Sequence, residues 1–276
     1  MPEVITSAAN PLIKRVRLLA DRRHRRREGE FVVHGVQPVW QAVQAGADIA
    51  TLIVAPDLLR GPAAAMVAGQ AERGVAVALV SAELFGRISD RDGPAGLAAI
   101  VRMRPGGLGT LPAPAGQPYL ALHEVGNPGN LGTIIRTVDA AGAAGVILLG
   151  ATTDPYDPAA VKASMGALFS VPVAHCAEDD FFDWCGQEGI TVVATSARGQ
   201  SYLWEACWGR PAAFLLGSES TGLPARLLGR ADLRVRIPMA GTARSLNLAV
   251  AAGVLLYEAR RREQRDCGQD WTGGSR

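Results

Sequence analysis

The spacing of apolar positions changes several times along the chain, and each change marks an element. Residues 10–20 repeat at helical spacing, and "GEFVVHG" (29–35) has the run of a strand. "VQPVWQAVQAG" reads as a helix ended by Gly46, "IATLIVA" as a strand, residues 63–73 as a helix, and "GVAVALV" and "GLAAIVRM" as strands. Strands alternating with helices predict a small α/β domain. After a Pro- and Gly-rich stretch, "RPGGLGTLPAPAGQP" (104–118), the alternation resumes. Strands are expected at 119–125, 145–150, 191–196, 212–217 and 233–239, with helices in most gaps. Several of these are unbroken apolar runs, as in a parallel sheet covered on both faces. Ligands of such sheets bind beyond the carboxyl ends of the strands. The loops to inspect therefore start at Gly126, Gly150, Ser196, Gly217 and Met239.

At roughly 150 residues per domain, 276 residues suggest two domains. The expected division is 1–104, a linker at 105–118, a second domain at 119–265 and a flexible tail at 266–276. The net charge of +2 conceals a concentrated basic segment, "KRVRLLADRRHRRR". Its Lys14, Arg15, Arg22, Arg23, Arg25, Arg26 and Arg27 suit a polyanion, because neutralising phosphates releases counterions. The arginines Arg260, Arg261, Arg262 and Arg265 are further candidate phosphate contacts. The four cysteines form no CxxC and have no histidine at ligand spacing, so no metal is expected. No secretory leader and no apolar run long enough to span a bilayer are read, which predicts a cytoplasmic protein without a membrane partner.

Three loops carry candidate chemistry. In "NPGNLGTIIRT" (127–137), Asn130 can cap the following helix. Leu131, Ile134, Ile135 and Val138 form its apolar stripe, which leaves Arg136 on the polar face. Arg136 is the only Lys or Arg between Arg104 and Lys162; by periodicity alone it is a solvated charge. In "LLGSESTGLP", Glu219 follows a buried strand and can stand at the start of a short helix. In "IPMAGTARSLNLAVAAGVLLYEARRR", Ser245 stands where a helix starts. Asn247 sits at the mouth of a helix apolar around most of its circumference, so its amide needs a hydrogen-bonding partner. No GxGxxG follows a strand, no Walker lysine loop is present, and the histidines form no triad. His123, within an apolar strand, reads as structural.

Taken in order, these loops resemble the three motifs of the SpoU/TrmH family of RNA ribose 2′-O-methyltransferases, in the SPOUT superfamily. The resemblance covers about residues 119–263. The segment from Ser7 to Val43 is similar to the substrate-binding domain that precedes the catalytic domain in rRNA-directed members. Before Gly35 that pattern has Glu, where this chain has His34.

The resemblance implies an α/β fold: a SPOUT-type parallel sheet with a C-terminal trefoil knot, preceded by a small α/β RNA-binding domain. It implies S-adenosylmethionine as methyl donor, contacted by Gly217, Ile237 and Leu246, with Thr195, Ser196, Leu216 and Met239 lining the same pocket. Asn130 and Arg136, Glu219, and Ser245 and Asn247 match the catalytic positions of the three motifs. It also implies a homodimer acting on RNA, with 23S rRNA favoured and either a housekeeping or an antibiotic-resistance role. A tRNA substrate, or a non-catalytic RNA-binding protein on the same scaffold, are the competing expectations.

Overall fold

The computed structural model describes residues 4–89, 95–104 and 106–266. The expected tail from Cys267 onward lies outside them, as does the side chain of Arg265. The chain divides into two compact units: Met1–Pro105 with Asp154–Ser170, and Gly106–Thr153 with Val171–Arg276.

The first unit opens with α1 (Pro11–Leu18), started by Pro11 and by Asn10, whose side chain accepts from Leu12 N. The basic segment forms a second helix that periodicity did not reveal, α2 (Arg22–Glu28). Asp21 caps its first turn, and Gly29 ends it in the left-handed conformation. There follow β1 (Glu30–His34), α3 (Val36–Gln44), β2 (Ile49–Val54), α4 (Pro62–Glu72), β3 (Ala76–Leu79), α5 (Ala82–Ile88) and β4 (Leu97–Arg102). The sheet order is β1-β4-β2-β3, with β4 antiparallel to both neighbours and β2 parallel to β3. One face buries Phe31, Val33, Leu52 and Val54, and the other Ile53, Ala98 and Ile100.

The second unit holds β5 (Tyr119–His123), α6 (Pro128–Ala141) and β6 (Gly145–Leu149). The chain then leaves this sheet for Asp154–Ser170, whose helix α7 (Pro158–Ser164) packs on β1 of the first unit. This differs from a division by sequence position alone, and the cause is specific. Arg25, 1% exposed, bonds Asp154 Oδ2 at 2.8 Å and lies 3.7 Å from Asp157, while Phe31 packs on Tyr156 and Phe169. The unit continues with β7 (Val173–Cys176), α8 (Glu178–Gln187), β8 (Thr191–Thr195), β9 (Ser201–Tyr202), β10 (Ala212–Leu216), α9 (Ala225–Arg230), β11 (Leu233–Arg236) and α10 (Leu248–Asp266).

Its strand order is β7-β6-β5-β10-β8-β11-β9, with every pairing parallel. β5, β6 and β10 are buried along their whole length, as unbroken apolar runs require. Strand order reverses beside β5 and β10, which lie next to each other. The loops after both strands therefore emerge together at the carboxyl edge, where ligands of such sheets bind. The Pro- and Gly-rich stretch is packed against this unit: Gly106 O accepts from His175 N, and a side chain at Gly106 would meet the Val173 carbonyl at 2.2 Å. The tip of β5 is pinned by His123, whose Nε2 lies 2.8 Å from Glu178 Oε1. Burial, ahead of nearby charges, lowers the pKa of this histidine, consistent with a structural neutral ring.

Candidate active site

The loop after β5 enters α6 through Asn127, whose side chain accepts from Asn130 N at 3.0 Å. Asn127, rather than Asn130, is thus the cap. The Asn130 side chain turns instead toward the neighbouring loops. Its Nδ2 donates to Glu219 Oε1 at 2.9 Å, across the β5–β10 boundary. Its Oδ1 accepts from Asn247 Nδ2 at 3.1 Å. Asn247 Oδ1 in turn accepts from Ala249 N at 2.9 Å, so Asn247, rather than Ser245, caps α10. A polar chain Asn247–Asn130–Glu219 thereby joins the starts of two helices to the loop after β10. Each acceptor orients the next amide. Burial pushes the Glu219 carboxyl up, but donation from Asn130 and from the backbone N–H groups of Glu219, Gly126 and Asn127 outweighs it. The net pKa is lowered, and Glu219 is a carboxylate at neutral pH.

Glu219 stands on the wall of a cavity of about 900 Å³. Thr195, Ser196, Leu216, Gly217, Ile237, Met239 and Leu246, all expected at the donor, line this one space, and so does Ser245. The loop shape demands glycine at 217: an added Cβ would stand 2.1 Å from the Gly222 carbonyl carbon. Gly222 is left-handed (φ +67) and donates to Ser218 O at 3.0 Å, which turns the loop back on itself.

The Arg136 side chain is exposed on α6 and makes no ion pair or hydrogen bond among the described residues. It follows Asn130 by six residues, about 9 Å along the axis and a third of a turn away. The structure thus gathers Asn130, Glu219 and Asn247, places Ser245 with Glu219 on the lining of the cavity, and leaves Arg136 outside that chain. α10 also differs from expectation, because it is not buried all round: Val250 and Tyr257 are 52% and 54% exposed.

In the basic segment, Lys14, Arg22, Arg23, Arg26 and Arg27 are exposed. Arg27 bonds Glu28, and Arg15 is held by both oxygens of buried Glu30. Arg25 is a correction. Its guanidinium is buried on Asp154 and on the carbonyls of Leu19 and Ala20, so no phosphate can reach it. Arg262 is a second correction. It lies over the Trp208 ring at 4.0 Å and bonds Glu258 and the carbonyls of Leu203, Trp204 and Ala206. Arg260 and Arg261 pair with Glu263 and Glu258.

Sequence reading missed part of the cavity wall. Arg236 lies over the Tyr202 ring at 4.1 Å and donates to Gly199 O at 2.8 Å, and both side chains, with Arg198 and Arg244, line the space. A two-residue strand, β9, brings Tyr202 there, and it is too short to leave a periodic signal.

Comparison with known proteins matches residues 117–257 to the SpoU rRNA Methylase family and residues 10–99 to the MRM3-like substrate binding domain. The chain is 33% identical to the 23S rRNA (uridine(2479)-2′-O)-methyltransferase of Streptomyces viridochromogenes, over 92% of this chain and 90% of that one. It is 30% identical to the 23S rRNA (guanosine(2553)-2′-O)-methyltransferase of Bacillus subtilis, over 93% and 98%. The AdoMet-bound rRNA methyltransferase from Sinorhizobium meliloti is similar in structure, with TM-score 0.86 and 39% identity over 94% of this chain and 98% of that one.

Proposed function

Because the chain belongs to the SpoU rRNA methylase family, we propose that it methylates a ribose 2′-hydroxyl of 23S rRNA with S-adenosylmethionine as donor. The observation that carries this reading is the polar chain Asn247–Asn130–Glu219, which meets the cavity at Glu219. A scaffold retained only for binding RNA has no need of it. The named relatives act on a uridine and a guanosine, so what they share is the ribose and not the base.

The cavity suits the donor. Its volume, about 900 Å³, falls within the range of about 300–1,000 Å³ typical of ligand pockets. Leu216, Ile237 and Leu246 offer apolar surface to a ring, and Thr195 and Ser196 offer hydroxyls. When bound, the donor supplies a methyl group activated on a sulfonium sulfur. The chain must then hold the ribose hydroxyl in line and favour loss of its proton; alignment of this kind lowers barriers by about 7–11 kcal/mol. Asn130, Ser245 and Asn247 position the ribose, and Glu219 fixes the orientation of Asn130. Arg136 supplies the positive charge and planar donors that bind the RNA phosphate and stabilise the developing alkoxide.

The same reading carries a trefoil knot at the carboxyl end of the second sheet and a homodimer. The exposed apolar residues Val250 and Tyr257 on α10 support the dimer. The same reading puts the protein in the cytoplasm, where it would meet a ribosomal RNA substrate. No helix among the described residues is long and apolar enough to cross a membrane.

The test is incubation with S-adenosylmethionine and either 23S rRNA or total tRNA, followed by mass-spectrometric mapping of 2′-O-methyl groups. One new site in 23S rRNA is expected. Modification of tRNA alone, or of neither RNA, would overturn the proposal.

A further inference from the structure

The first unit contains a cavity of its own, of about 200 Å³. α1 contributes Val16 and Arg17, β1 contributes Val32 and His34, α5 contributes Arg87 and Ile88, and α7 contributes Val161 and Lys162. Apolar side chains from four elements thus form its floor. Among the described residues its lining holds three cations and no carboxylate. The Arg17 side chain is exposed and makes no ion pair or hydrogen bond among the described residues. Arg87 bonds Glu83 at 2.7 Å, but that pair is exposed on both sides and worth little against a phosphate.

We propose that this cavity takes one unstacked nucleotide of the RNA substrate, with its base on Val16, Val32 and Ile88 and its phosphate on Arg17 and Arg87. The proposal rests on the RNA-directed reading above. An apolar floor beneath a cationic rim matches a nucleotide, which joins a flat, weakly polar ring to an anion. The space is below the range of whole-ligand pockets and suits a single ring system. A concave site cannot receive a base that is still stacked in a duplex, whereas splayed bases are what RNA-reading proteins commonly hold.

Ala20 is exposed on the lining, so Ala20→Trp fills the space without removing a core contact. Affinity of the full chain for homopolymer single strands and for an RNA duplex is measured by fluorescence anisotropy, without donor. Ala20→Trp is expected to weaken single-strand binding at least tenfold and leave duplex binding unchanged. Arg17→Ala should weaken both and lower the salt-dependence slope by about 1. Unchanged single-strand binding by Ala20→Trp, or an equal loss for both RNAs, would overturn the proposal. Should that variant misfold, 4-thiouridine strands crosslinked to the wild type provide the second arm. Crosslinks within residues 16–20 or 158–162 are expected, and their absence from both segments counts against the pocket. A wild type that binds neither RNA overturns the RNA-directed reading itself, and calorimetry with S-adenosylmethionine then shows whether the catalytic unit is intact.

Discussion

The side chain of Asn130 is bonded to Glu219 at 2.9 Å, joining the helix after β5 to the loop after β10. The two residues are 89 positions apart in the chain. They meet because β5 and β10 are neighbours in a sheet whose strand order reverses there. Glu219→Ala removes the acceptor that orients Asn130 and, through it, Asn247. Methyl transfer is expected to fall at least a hundredfold. Glu219→Gln keeps one acceptor oxygen and should recover part of that loss. Single-turnover transfer to 23S rRNA measures both; equal rates for Ala and Gln would mean that orientation of Asn130 is not what Glu219 supplies.

The same contact fixes the expected pH dependence. The Glu219 pKa is lowered in the folded chain from its ordinary value of 4.5. A lowered pKa means that the ionised form is favoured by folding. Its contribution is therefore complete above 4.5 and is lost as pH falls through the lower, folded value. Donor affinity, followed by calorimetry, should stay level from neutral pH down through 4.5 and decline only below it. A midpoint near 6 would assign the titration to another group.

Arg136 is exposed and does not line the donor cavity. Arg136→Ala should abolish turnover while leaving donor affinity within about twofold. Unfolding stability should change by no more than about 0.5 kcal/mol, as for surface positions free of partners. Equilibrium unfolding, donor calorimetry and transfer assays on one preparation separate these effects. Near-normal turnover would take Arg136 out of the mechanism.

Much of this architecture was legible in the chain, for identifiable reasons. The apolar runs of β5, β6 and β10 announce a covered parallel sheet because all their side chains are buried. The polar residues of three loops could be singled out, but not their pairing. Asn127 and Asn130 are both plausible caps by type, and only the geometry shows which one turns toward Glu219. α2 was hidden because its seven residues are nearly all charged and give no apolar period. Arg25 was unreadable for a related reason: its partner Asp154 lies 129 positions away, beyond the reach of local pattern.

Gly217 provides a test of loop shape. An added Cβ would meet Gly222 backbone at 2.1 Å, and backbone cannot step aside as a side-chain end can. Gly217→Ala should open the turn between Ser218 and Gly222 and weaken donor binding more than tenfold. The sheet ends before the loop, so far-ultraviolet circular dichroism should be unchanged. Wild-type donor affinity in this variant would show that the loop tolerates a different path.

Arg25 separates a structural arginine from its RNA-facing neighbours. Arg25→Met leaves the Asp154 carboxylate buried without its cation. Breaking a buried pair in this way costs about 3–5 kcal/mol. Urea unfolding should show a loss of that size, whereas Arg26→Ala, at an exposed position on the same helix, should cost about 0.5 kcal/mol or less. RNA binding should respond in the opposite sense. At temperatures where both variants are folded, Arg26→Ala should lower the salt-dependence slope by about 1, and Arg25→Met should leave it unchanged. A reduced slope for Arg25→Met would mean that its guanidinium leaves Asp154 to meet phosphate. The segment Asp154–Ser170 would then be held to the first unit by the aromatic contacts of Phe31 with Tyr156 and Phe169.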